Sequence, residues 1–372
     1  MGKNNLRIDW VLLLSLLPIL AAGLITMNSF TGENQLFLKQ LIWILISVAI
    51  FFICSFIDFR FLKRTGVIVG LFLFSCFLLI LLFSVGHVSK GAKSWFNFGG
   101  FSFQPADPVK LILIMVLAKY FSRRHVEIAN IRHILVSGLY AFIIFALILI
   151  QPDFGSAIII FLIWFGMVLV SGISKKHLLA VFLIGAVASF GLWHYVFKPY
   201  QKDRILNFIH PVTNLSGSGY NAYQSTITVG SGRLLGKGIG YGTQSRLNFL
   251  PEYQTDFIFA AYAEEWGFIG VLILFLLFGI VIWRILRDAT RGASNFEVLF
   301  GIGLSIFFMS HIIVNMGMNM GLLPVTGVTL PFMSYGGSHL LTEFIGLGIL
   351  MGMRRYARAA HRDVVKNEFL GI

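Results

Sequence analysis

The sequence predicts an all-α integral membrane protein, a polytopic bundle of about ten transmembrane helices. Three observations carry that prediction. The 372-residue chain is 57% hydrophobic, and 38 of its residues are Phe. Only 12% of it is charged, roughly half the share of an ordinary soluble domain. Its apolar residues fall in runs of about 20, the length that crosses a bilayer.

The first run, 8–28, follows MGKNNLRIDW and has no small-residue cleavage site behind it. It therefore reads as a retained span and not as a signal peptide. Further spans are expected at 38–57, 65–84, 106–122, 133–151, 155–172, 176–197, 256–286, 296–320 and 326–353. The stretch 198–255 is too polar to span. It reads as one long extracytoplasmic loop between helices 7 and 8, within a single transmembrane domain 1–372. Cys54 and Cys76 lie in apolar runs and read as core fillers, not as a disulfide or a metal pair.

The net charge of +13 suggests nucleic acid only until its distribution is examined. Most of the 29 lysines and arginines fall on one side of the expected spans: Lys3 and Arg7, Arg60 to Arg64, Lys119 to Arg132, Lys175 and Lys176, Arg284 to Arg291, and Arg354 to Lys366. The short connections on the other side are nearly free of them. By the positive-inside rule both termini are cytoplasmic, in agreement with an even number of spans. The long loop, the 85–105 loop and the QPDFG corner then share the extracytoplasmic face.

On that face polar residues interrupt the apolar pattern. In FLPEYQTDFIFAAYAEEWGF, residues 249–268, Thr255 or Asp256 can cap the next helix. Alternatively, Asp256, Ala260 and Glu264 follow helical spacing, so that two acids line one polar cleft. An acid at membrane depth costs about 2.5–3.5 kcal/mol and calls for a partner or a wet cavity. In SFQPADPVKL, Asp107 and Lys110 are three apart and can pair, or Lys110 can face an anionic substrate. Trp95 and Phe96 sit in the preceding interfacial loop. Asp153 suits a helix cap. The long loop offers Lys202, Arg204, Arg233, Lys237 and Arg246 to an anion. Its glycines do not make a phosphate loop, because no GxxxxGK[ST] is present. His311, Asn315 and Asn319 form an i, i+4, i+8 polar stripe for interhelical hydrogen bonds. LPVTGVTLPFMSYGGSHLLTEF breaks the last span, and Ser334, Ser338, Thr342 and Glu343 can line a cavity there.

Five of these stretches in register, FLPEYQTDFIFAAYAEEWG, SFQPADPVKL, QPDFGSA, YNAYQSTITVGSG and LPFMSYGGSHLL, resemble the SEDS family (shape, elongation, division and sporulation) over essentially the whole chain. The FLPE stretch, the length and the short basic tail resemble its elongation branch more than its division branch. The resemblance implies a peptidoglycan glycosyltransferase of the bacterial cytoplasmic membrane. Such an enzyme polymerises lipid II, with a class B penicillin-binding protein and the elongation machinery as partners. It carries the family's essential aspartate onto Asp256, its loop tryptophan onto Trp95, its acid–lysine pair onto Asp107 and Lys110, and its loop arginine onto Arg204. Two departures stand out. Ala106-Asp107 replaces Ser-Glu, and His339 stands where SYGGSS has its last serine.

The reaction so implied needs one base, Asp256, and charge neutralisation of a pyrophosphate leaving group. Either Lys110, Arg204 and Arg246 supply that charge, or a Mg²⁺ or Mn²⁺ held by Asp256 does. Glu264, Ser334 and Ser338 are expected as supports. A lipid II flippase and a non-catalytic scaffold are the alternative classes, since broken helices and intramembrane acids also mark transporters.

Overall fold

The computed structural model describes residues 8–29, 35–89, 92–97, 99, 102–122, 131–197, 199–209, 218–247 and 249–370. Its helices are α1 (Trp10–Asn28), α2 (Gln35–Phe56), α3 (Thr65–Val85), α4 (Ala106–Ser122), α5 (Ile131–Ile150), α6 (Phe154–Val170), α7 (Lys175–Gly191), α8 (Pro199–Ile209), α9 (Ser218–Ser231), α10 (Thr243–Arg246), α11 (Ile258–Ala289), α12 (Asn295–Asn319) and α13 (Gly337–Leu370). Three short antiparallel strands lie between α3 and α4: β1 (His87–Ser89), β2 (Ala92–Asn97) and β3 (Ser102–Phe103). Among the described residues, seven helices are long and apolar enough to cross a membrane, and the 17-residue α6 is a shorter apolar helix. The protein is a multi-pass membrane protein.

Each expected span contains a helix. The centre of the bundle is α4 and α12, which are buried along most of their length. The remaining helices pack around them and turn exposed Leu, Ile and Phe outward, as lipid-facing helices do. None of the described residues of α7 is buried. Helices far apart in the sequence pack closely, as α2 does on α13. Phe51 meets Phe344 edge to face at 6.4 Å, and Gly348 lies against the Cys54 side chain. Small residues let membrane helices approach closely in this way. Both cysteines are free.

Three expectations need correction. The long loop is not structureless, for it carries α8, α9 and α10. The last span does not begin at 326. Residues 322–336 are non-helical, because Pro324 and Pro331 lack amides to donate, and α13 starts only at Gly337. The helix expected at 256–286 begins at Ile258 and is broken at Gly267, whose φ of 65° and ψ of −169° lie outside any helix. The break is filled by the loop after α9. Phe268 N donates to Arg233 O (2.9 Å) and Ile269 N to Leu234 O (3.1 Å). Lys237 N donates to Glu264 O (2.9 Å) and Gly238 N to Glu265 O (3.0 Å). All four backbone groups freed by the break are thus paired, as membrane depth requires. A side chain on Gly267 would collide with the Leu235–Gly236 backbone, so only glycine fits.

At the end of the bundle rich in Lys and Arg, charged side chains tie helix ends together. Asp9 caps α1 by accepting from Leu12 N (3.1 Å) and also accepts from Arg284 Nε of α11 (2.9 Å). Arg354 of α13 lies 2.7 Å from Asp288 of α11 and 3.5 Å from Asp9. Lys63 pairs with Glu297 at 2.6 Å.

Candidate active site

The other end of the bundle collects the strands, the 151–153 corner, the α8–α10 region and the broken 322–336 segment. Asp256 sits there, in the turn just before α11. The cap position is Phe257, whose side chain makes no capping bond, and Asn319 Oδ1 of α12 accepts from Ala260 N (3.3 Å) in the first turn. Asp256 itself lies one residue before the cap. Its backbone is held from several sides. Asp256 O accepts from Asn315 Nδ2 (2.9 Å) and Asn319 Nδ2 (3.1 Å) of α12. One residue earlier, Thr255 O accepts from Ser334 Oγ (2.7 Å), and Gln254 O from Tyr335 N (2.8 Å). The carboxylate lies over Gly327, where a Cβ would stand 3.5 Å from Asp256 Oδ2. Gly327 also has a φ of 76°, which favours glycine.

The polar stripe expected on α12 thus has a target: two of its members fix the Asp256 backbone. Asn315 Nδ2 also donates to Val328 O (2.7 Å), and His311 Nδ1 lies 3.2 Å from Thr329 O. The stripe holds the turn before α11 and the broken segment against each other.

A second group lies inside the bundle. Lys110 Nζ donates to Asp107 Oδ1 at 3.1 Å, one turn along α4. Ser338 Oγ donates to Asp107 Oδ2 (3.1 Å). His339 Nδ1 is 3.4 Å from Asp107 Oδ1, and its Nε2 is 2.9 Å from Glu343 Oε1. Glu343 Oε2 accepts from Phe332 N (3.0 Å). Asp107, Lys110, His339 and Glu343 are all buried. The shorter acid at 107 still reaches Lys110, so that departure keeps the pair. The two groups meet in one turn. Leu330 N donates to Ser334 Oγ (2.8 Å), whose proton goes to Thr255 O.

The continuous helical spacing expected between Asp256 and the fully buried Glu264 is not present. Asp256 lies outside α11, so that spacing does not apply. Glu264 organises the loop instead: Lys237 Nζ (2.6 Å), Gln244 N (3.1 Å) and Thr243 Oγ1 (3.2 Å) all donate to its Oε1. Glu265 accepts from Gly240 N (2.7 Å). Trp95 is half-buried in β2, paired with His87 across a hairpin, and is not in an irregular loop. Arg204 is half-buried on α8, and Arg246 is exposed in the last turn of α10. Asp153 caps α6 by accepting from Ser156 N (3.0 Å) and also accepts from Gln104 Nε2 (2.8 Å).

No group of three His, Cys, Asp or Glu among the described residues forms a metal cluster.

An apolar helical bundle with seven helices long enough to cross a bilayer among its described residues defines an integral membrane protein. The family model for FtsW, RodA and SpoVE, described as cell cycle protein, matches residues 4–359, and the chain belongs to that family. It is 34% identical over 360 residues to stage V sporulation protein E of Bacillus subtilis (strain 168), covering 94% of this chain and 98% of the relative. It is 33% identical over 363 residues to peptidoglycan glycosyltransferase MrdB of Escherichia coli (strain K12), covering 97% of each. Among solved structures, it matches a chain from "Structural coordination of polymerization and crosslinking by a peptidoglycan synthase complex" with a TM-score of 0.80 and 29% identity, covering 94% of this chain and 98% of that one.

Proposed function

We propose that this protein is a peptidoglycan glycosyltransferase that polymerises lipid II during cell-wall elongation, with Asp256 as general base. One observation carries the assignment to Asp256. Its backbone is pinned by α12 and the 322–336 segment, with its carboxylate over Gly327. Pinning of that kind is what a catalytic base needs, since position counts for as much as basicity. The assignment of the activity is supported by the full-length similarity to MrdB.

In this reading a sugar hydroxyl attacks the anomeric carbon of the neighbouring unit. Its proton passes to Asp256, and the lipid pyrophosphate leaves. Pyrophosphate needs charge neutralisation more than protonation, so a second carboxylic acid is not required, unlike in an inverting glycosidase. Lys110, Arg204 and Arg246 are the cations assigned to it. A divalent cation, Mg²⁺ or Mn²⁺, would be held by Asp256 and would add to that neutralisation. Trp95 and Ser338 flank the substrate path, and Ser334 and Glu264 hold the walls. The site end faces outward from the cytoplasmic membrane, and the basic end and both termini face the cytoplasm. The distribution of Lys and Arg supports this orientation. A class B penicillin-binding protein is the proposed partner, by analogy with the synthase complex that this chain resembles in structure.

Purified protein with that partner and labelled lipid II tests the reading. Asp256→Asn should lower polymer formation by about 10²–10⁴-fold with the thermal unfolding midpoint unchanged. Polymerisation at the wild-type rate would remove Asp256 from the mechanism. Intact polymerisation with lost lipid II translocation in liposomes would favour a flippase.

A further inference from the structure

His339 stands where the family pattern has serine, and its surroundings give it a task. Its two ring nitrogens face two carboxylates, Asp107 at 3.4 Å and Glu343 at 2.9 Å. Nδ1 is within hydrogen-bond reach of Asp107 Oδ1, while Nε2 and Glu343 Oε1 approach without hydrogen-bond alignment, so the ring meets Glu343 as a charge. Charge counting agrees. Lys110 alone opposes Asp107 and Glu343, and all three are buried. An uncompensated charge in a dry interior is strongly unfavourable, so one more positive charge completes the set. The other titratable group facing the ring is His311 of α12, with ring centres 4.6 Å apart; its Nδ1 is engaged with Thr329 O. The 322–336 segment brings no Asp, Glu, Lys or Arg.

The cluster also reaches the turn that positions Asp256. Glu343 holds Phe332 N, and Phe332 has a φ of 60°, a strained left-handed conformation for a bulky residue. Two residues on, Ser334 bonds Thr255 O next to Asp256. We propose that His339, as an imidazolium bridging Asp107 and Glu343, is a positioning residue: it sets the Asp107–Lys110 pair on one side and, through Glu343, the Phe332–Ser334 turn beside Asp256 on the other.

The activity arm of the test rests on the glycosyltransferase reading; the spectroscopic arm does not. His339→Gln leaves the cluster one negative charge in excess, and Glu343→Gln one positive, while the glutamine at 343 still accepts from Phe332 N. Each single variant should lower the polymerisation kcat by about 10–100-fold, the scale of a small misplacement of reacting groups, with KM little changed. The double variant restores charge balance and should recover most of the loss. A His339→Gln enzyme with wild-type kcat would overturn the proposal, as would a double variant no better than the worse single one. Should the single variants fail to fold, ¹⁵N-histidine spectra of the wild type decide. One histidine, absent from the His339→Ala spectrum or from that of the folded double variant, must carry protons on both nitrogens at neutral pH; a neutral tautomer there overturns the proposal. The same spectra taken on Asp256→Asn protein read the ring even if that aspartate is not the base.

Discussion

Two ion clusters on α13, each with two acids and two bases, lie about 16 Å apart along the helix, at 1.5 Å per residue from Glu343 to Arg354. Toward the basic end, Asp9, Asp288, Arg284 and Arg354 join the start of α1, the end of α11 and α13. Their cations are arginines, which stay charged and present a rigid fork of donors. They join helix ends to one another, so they act as a fastening. Toward the site end, Asp107, Lys110, His339 and Glu343 have a lysine and a histidine as cations, and one of their acids holds a strained turn. The same number of charges, placed against helix ends, fixes a scaffold; placed against irregular backbone, it sets the geometry of a site.

The difference can be broken from either side. Asp9→Ala leaves Arg284 and Arg354 short of a partner and removes the α1 cap. It should cost about 3–5 kcal/mol of stability, the range for a broken buried pair, seen as a lower unfolding midpoint in detergent. The polymerisation rate of the folded fraction should stay within about twofold, since Asp9 lies away from the site. If activity falls in proportion to stability, the two ends are not separable. Glu264→Gln should cost about 1.5–3 kcal/mol, the worth of hydrogen bonds to a charged group. Faster proteolysis within 231–247 would report it.

Asn319→Ala removes a donor to Asp256 O and the acceptor for Ala260 N. About 1–3 kcal/mol follows from leaving such groups unsatisfied, and a matching drop in kcat at nearly constant KM is expected. Ser334→Ala should have the smallest effect: it removes two neutral hydrogen bonds, from Leu330 N and to Thr255 O, about 1–2 kcal/mol, or a rate roughly 5- to 30-fold slower. An unchanged rate in both variants would show that the turn before α11 does not need its tethers.

How much of this was readable in advance differs between the spans and the site. Span positions follow from apolar length, a local property, and each expected run does contain a helix. The breaks are not local. Gly267 is a lone glycine in an apolar run, and a lone glycine is tolerated in a helix. What opens the helix there is the 233–238 segment, some 30 residues earlier, which pairs the freed backbone groups. The same limit applies to Asp256. Its carboxylate at a helix mouth was visible, but the spacing to Glu264 assumed a helix that starts two residues later. Asn315 and Asn319 were legible as a polar stripe; that they grip Asp256 was not. His339 was legible only as a departure from a pattern, because its meaning depends on Asp107, 232 positions away.

The hydrogen bonds of Gln40 carry a consequence for biosynthesis. This α2 side chain donates to Ser334 O (3.2 Å) and accepts from Gly336 N (3.3 Å), a partner 296 residues downstream. At about 5–20 residues per second, a ribosome needs roughly 15–60 s to travel that distance. During that interval α2 waits in the lipid with its buried glutamine unanswered, and a chain stopped short of residue 334 has no turn to hold Asp256. The membrane therefore receives this enzyme as an inert set of helices, and the last one to be released closes the site.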